Sequence, residues 1–149
     1  MNPETMEDKP MKMLANAKCV ARHARLDFLP MLFGDDFVLA EQHMFNYAQR
    51  FCCDYDGGFW QFYTLPNGGG YMAPNAERVV FSSLNGFEAE ISGDAAGMIL
   101  TALVLNHRCW LHHEQGDDEL AEHFILRAEQ LRRAIDDHPE SHAIWLALD

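Results

Sequence analysis

Four residues of metal-binding type crowd one short stretch: His107, Cys109, His112 and His113. A metal pair on a helix needs ligands three or four residues apart on one face. Cys109 meets that spacing with His112 or His113, but His107 does not, because Trp110 and Leu111 occupy its partner positions. With no third or fourth ligand nearby, these side chains read as solvated or hydrogen-bonded histidines toward a helix end. No metal and no cofactor is expected.

Cysteine catalysis needs a thiolate beside a base. Cys52 and Cys53 lie nine and ten positions beyond His43, a spacing that does not bring them into contact on a helix. They read as small buried thiols at a helix end. Asp54 and Asp56 flank Tyr55 ahead of two glycines. A catalytic acid there would have to be buried with a raised pKa, whereas acids before a glycine pair are turn formers. Asn67-Gly-Gly-Gly70 is no phosphate loop, since no Lys-Ser/Thr follows it and no helix begins there. An enzyme is therefore not expected.

Glu114, Asp117, Asp118, Glu119 and Glu122 form the densest acidic run. On a helix they span about 13 Å at ~1.5 Å per residue. B-DNA carries roughly eight charges over that length, at one per ~1.7 Å. Five acids diluted by Arg108 and Arg127 imitate nucleic acid only as a patch.

The elements that must position these groups follow from periodicity. Asn16 to Arg25 is read as a short helix, broken by Pro30, which leaves Phe28 to Gly34 as an apolar plug. Phe37, Ala40, Met44, Ala48 and Phe51 recur at helical spacing. From Tyr55 to Pro74, six aromatics and five glycines fill twenty residues. Aromatics favour strands and glycines supply the positive φ of tight turns, so this is a hairpin reversing at Pro66 to Gly70. Gly57, Gly58, Asn67, Gly68 and Gly69 are its turn formers. Any functional contact should come from residues the hairpin exposes, with Tyr55, Asp56, Gln61, Tyr63 and Tyr71 as the candidates. Arg78 to Ser83 and Gly86 to Ile91 follow as strands, with Asn85-Gly86 as their turn. Ser92 caps a helix that is apolar nearly all round from Ala95 to Leu105 and ends at Gly116. A further helix opens at Asp117, Asp118 and Glu119, and the last one starts at Pro139. The expected fold is a single α+β domain: an antiparallel meander of three or four strands with about four helices. Residues 1–24 are expected to be a polar, partly flexible segment, and 25–149 the domain proper.

The chain is 48% apolar and carries a net charge of -12. Affinity for nucleic acid comes largely from Lys and Arg at phosphates, so direct binding to DNA or RNA is not expected. No apolar run reaches the ~18 residues of a membrane span and no signal peptide is visible. A soluble, cytoplasmic protein with its four cysteines reduced is the expectation.

The block from Arg50 to Pro74 resembles the signature of the ArdB/KlcA antirestriction family. Phe28-Leu-Pro-Met-Leu-Phe-Gly34 upstream and Ser92-Gly-Asp-Ala-Ala-Gly97 downstream agree with it in order and spacing. The resemblance runs from about Arg25 to Asp149. Gly70 stands where the family usually carries Phe, and Met31 where it usually carries Arg. The resemblance implies a bacterial protein of plasmids or other mobile elements that relieves type I restriction of incoming DNA. It implies a mixed α/β fold, and a partner among the restriction-modification components or an associated host protein. It carries over no catalytic residues. The alternative from the residues themselves is an acidic module that occupies the site of a DNA-binding protein.

Overall fold

The computed structural model describes residues 16–149; most of the polar segment expected over residues 1–24 lies outside them. Strand β1 is Lys18–Cys19 and pairs antiparallel with β2, Trp60–Thr64, through Lys18↔Thr64 and Cys19↔Tyr63. The short helix expected from Asn16 to Arg25 is thus replaced by a strand and a single 3-10 turn, Arg22–Ala24. Tertiary pairing with the aromatic hairpin outweighs the weak local helix preference.

Helix α1, Arg25–Phe33, contains Pro30 in its interior. The proline was expected to break it. It removes one backbone bond, to the carbonyl of Leu26, and that residue is 91% exposed, so water replaces the lost partner. The helix still buries Phe28, Leu32 and Phe33, and Phe28 stacks on Phe62 at 4.6 Å. That burial offsets a proline cost of about 3 kcal/mol. A 3-10 turn, Gly34–Asp36, leads into α2, Phe37–Phe51, whose inner face is Ala40, Met44, Ala48 and Phe51.

β2 turns back on β3, Gly70–Pro74, in the register Trp60↔Pro74 to Thr64↔Gly70. Gly70 lies so close to β2 that a Cβ there would meet the Tyr63 carbonyl oxygen at 2.2 Å. β4, Arg78–Ser82, and β5, Glu88–Ser92, pair with each other as a second sheet, and the residue after α2 touches it through an isolated bridge, Cys52↔Phe81. Pairing is antiparallel throughout, but the strands divide three and two where one meander was expected. The reason lies in α3, Gly93–Glu114, which occupies the outer edge of β3. The Thr101 hydroxyl binds the Met72 N–H and carbonyl at 3.2 and 3.3 Å. A Cβ on Gly97 would sit 2.3 Å from that of Ala73. A helix thus covers the edge of β3 opposite β2.

Ser92 caps α3, its Oγ accepting the Ala95 N–H at 3.0 Å. Almost every side chain from Gly93 to Leu105 is buried, which makes α3 the axis of the core. α4, Asp118–Ile135, and α5, Ser141–Leu148, pack around it. Asp117 caps α4 through Leu120 N–H. Pro139, expected to open α5, precedes it by two positions. No helix among the described residues is long and apolar enough to cross a membrane.

Candidate functional site

α3 carries polar side chains at both ends, and each end organises a different cluster. At its start, Asp94 accepts hydrogen bonds from Tyr71 Oη at 2.8 Å and His138 Nε2 at 2.7 Å. His138 Nδ1 accepts the Glu140 N–H, so the ring proton sits on Nε2 and points at Asp94. Burial, with Asp94 and Cys19 nearby, raises the pKa of Tyr63, which stacks on Tyr71 at 5.0 Å. The trio resembles an acid–base relay in composition, but its side chains are sealed from solvent. It ties β3, the start of α3 and the α4–α5 turn together.

Toward the other end, Arg108 Nε and His112 Nε2 share one oxygen of Asp36, the latter at 2.8 Å. Arg108 also lies 3.4 Å from His43 Nδ1. His43 is edge-on to both Tyr47 and His107, and Tyr47 Oη is hydrogen-bonded to His107 Nδ1 at 3.0 Å. Burial, then His107 and Arg108, push His43 down to about 4 against the pull of Asp36. This chain of side chains runs outward from the α1–α2 corner to the mouth of an open cavity.

That cavity, about 540 Å³, lies between α2, α3, α5 and the β4–β5 turn. Phe51, Leu103, Leu111 and Leu148 supply apolar wall; Tyr47, Asn106, His107, Glu114 and Asp149 supply polar groups. Two of its lining side chains stand in water, Leu84 at 75% and Trp110 at 60% exposure. Asn85 fixes one wall by donating to the carbonyls of Leu146 and Asp149, each at 2.9 Å. Sequence reasoning missed this place. Its signals were an apolar Leu84 inside a Ser-Leu-Asn-Gly turn and an indole on the wet end of a helix.

The residues singled out from sequence scatter. His107, His112 and His113 turn to separate partners: Tyr47, Asp36 and, at 3.9 Å, Asp118. Among the described residues no three His, Cys, Asp or Glu side chains converge as a metal site. Burial pushes the Cys52 thiol up to about 12, which withholds the thiolate a nucleophile needs. Tyr63 and Tyr71 are buried and are corrected as surface contacts, because helices cover both faces of the hairpin there. Asp56 is exposed, while Tyr55 and Gln61 are half-buried. They lie beside an exposed Phe59 whose ring is stacked by Arg25 at 4.7 Å. Tyr55 Oη accepts the Trp60 indole N–H, and Gln61 accepts from the Cys19 thiol. Gly57, Gly58, Gly68 and Gly69 all have positive φ. Asn67 exchanges two hydrogen bonds with Gln130, at 3.3 and 3.1 Å, which docks the hairpin turn on α4. Glu114, Asp117, Asp118, Glu119 and Glu122 are all exposed around the α3–α4 junction.

The described residues thus form an α+β domain with a sealed polar cluster and an open cavity of mixed lining. The sequence model described as antirestriction protein matches residues 53–149, and the chain belongs to that family. It is 49% identical to YubI of Escherichia coli K12 over 128 residues, covering 84% of this chain and 89% of that one. It is 38% identical to the antirestriction protein KlcA of Escherichia coli over 146 residues, covering 96% and 98%. A solved structure superimposes with a TM-score of 0.78 at 39% identity, over 89% of this chain and 94% of the other. It comes from work on KlcA and ArdB, which show a novel fold and antirestriction activity against type I DNA restriction systems in vivo but not in vitro.

Proposed function

We propose that this protein relieves type I restriction of incoming DNA in the bacterial cytoplasm through protein contacts, without chemistry of its own. The observation that carries this reading is the close structural likeness to relatives active against type I systems in cells but not in vitro. Activity that needs the cell favours a partner present there, either a restriction-modification component in its working state or an associated host protein. The sealed Asp94–His138–Tyr71 cluster supports the non-enzymatic part, because no substrate reaches it. No cofactor, membrane or direct nucleic-acid contact enters the reading. Tyr55, Asp56 and Gln61, with Phe59, offer one contact surface; the cavity at Trp110 offers another.

Plating unmodified phage on a type I restricting host tests it. Plating should rise in cells that express the protein solubly, and unchanged plating ends the reading.

A second reading rests on the five exposed acids at the α3–α4 junction, which could occupy the site of a DNA-binding protein. Pull-down of restriction subunits would then fade as salt screens the charges.

A further inference from the structure

We infer that the cavity between α2, α3, α5 and the β4–β5 turn seats an arginine side chain of the protein partner. This rests on the antirestriction reading and names the chemistry of its contact. Three observations converge on a guanidinium. Trp110 presents an exposed indole, the ring that attracts a cation most strongly. Glu114 and Asp149 line the same cavity, and no Lys or Arg does. Neither carboxylate has an ion-pair partner among the described residues.

Arg132 lines an adjoining cavity with Leu148 and Asp149 and lies 5.8 Å from the centre of the Trp145 ring; the other cations near this cavity have partners of their own. Arg108 is turned inward to Asp36, and Arg50 lies against the Phe51 ring at 5.4 Å from its centre. Leu84 and Leu148 offer apolar surface for an aliphatic stem. A guanidinium is planar and weakly hydrated, stacks on aromatic faces and binds carboxylates in a forked geometry. An ammonium matches the charge but not the stacking. The net charge of -12 would draw in a basic surface of the sort that DNA-binding proteins present to phosphate.

The test uses the whole protein and two peptides, acetyl-Leu-Arg-Leu-amide and its citrulline counterpart, which keeps the shape and loses the charge. In heteronuclear NMR titration the arginine peptide should shift the Trp110 indole N–H and the Leu84 amide saturably, with Kd on the order of 1 mM. Citrulline should not. Glu114→Gln should weaken binding about three- to five-fold, the scale of one exposed charge pair. No shifts, equal shifts with citrulline, or shifts centred elsewhere overturn the inference. In cells, Trp110→Ala with Leu84→Ser should lose phage protection while keeping the wild-type melting temperature, because both side chains are exposed. Full protection by that folded double variant also overturns it. If wild type itself fails to protect, the antirestriction reading falls, whatever the peptide shows.

Discussion

His138 donates its Nε2 proton to Asp94 across 2.7 Å inside the fold, with side-chain exposures of 0% and 3%. The bond joins the start of α3 to the turn before α5, and Tyr71 supplies Asp94 with a second donor from β3. A carboxylate in such a place is stable only while its donors remain. Tyr71→Phe should therefore lower the unfolding free energy by about 1.5–3 kcal/mol, the worth of a hydrogen bond to a charged group. Urea denaturation measures it. Phage protection should survive in the folded variant; its loss would give the cluster a part in function.

His43 makes stability depend on pH. Its folded pKa of about 4 lies below the unfolded value of ~6.5. Unfolded chains bind more protons through that interval, so stability rises with pH there. The contribution is whole above about pH 6.5 and disappears as pH falls toward 4. His107 and Arg108 oppose the imidazolium and Asp36 favours it. His43→Phe should reduce the rise in unfolding free energy across the interval by about 1 kcal/mol, after solvent screening of a half-buried ring. Parallel curves for wild type and variant would contradict this.

The acidic run separates the two functional readings. Asp118→Asn with Glu119→Gln and Glu122→Gln removes three exposed charges and leaves Glu114 in place. Phage protection should be unchanged; a marked fall would favour nucleic-acid mimicry. Asp117 is kept out of that set because it caps α4. Asp117→Ala should cost about 1 kcal/mol of stability by itself, read from a melting curve.

Thr101 serves two buried backbone groups of Met72. Thr101→Val keeps the shape and orphans both. The expected loss is about 2–4 kcal/mol, from unsatisfied buried groups at 1–3 kcal/mol each with some relaxation. Thr101→Ser should recover most of it, and equal losses for Val and Ser would show that the hydroxyl is not what matters.

Local chemistry was legible and tertiary chemistry was not. The stripe of α2, the Ser92 and Asp117 caps and the stop at Gly116 obey rules that act within a few residues. β1 escaped notice because two residues make no periodic pattern; only β2 makes Lys18–Cys19 a strand. α1 defied its proline because Phe28, Leu32 and Phe33 find partners that sequence does not announce. Tyr63 and Tyr71 sit in a segment whose alternation gives both faces apolar character, so periodicity could not say which residues stayed wet. The cavity unites Tyr47, Leu84, Trp110 and Leu148, which stand far apart along the chain and share no motif.

The helix lying along β3 has a consequence for the protein's life among its own copies. From Trp60 to Pro74 the hairpin is aromatic and carries no charged residue. A naked strand edge of that composition recruits neighbours and seeds aggregates. Gly97 and Thr101 keep that edge occupied by covering it with a helix that offers no further edge. That edge is laid bare only if α3 lifts away. Thr101→Val and Gly97→Ala should raise insoluble yield in expressing cells by more than their loss of stability alone would suggest.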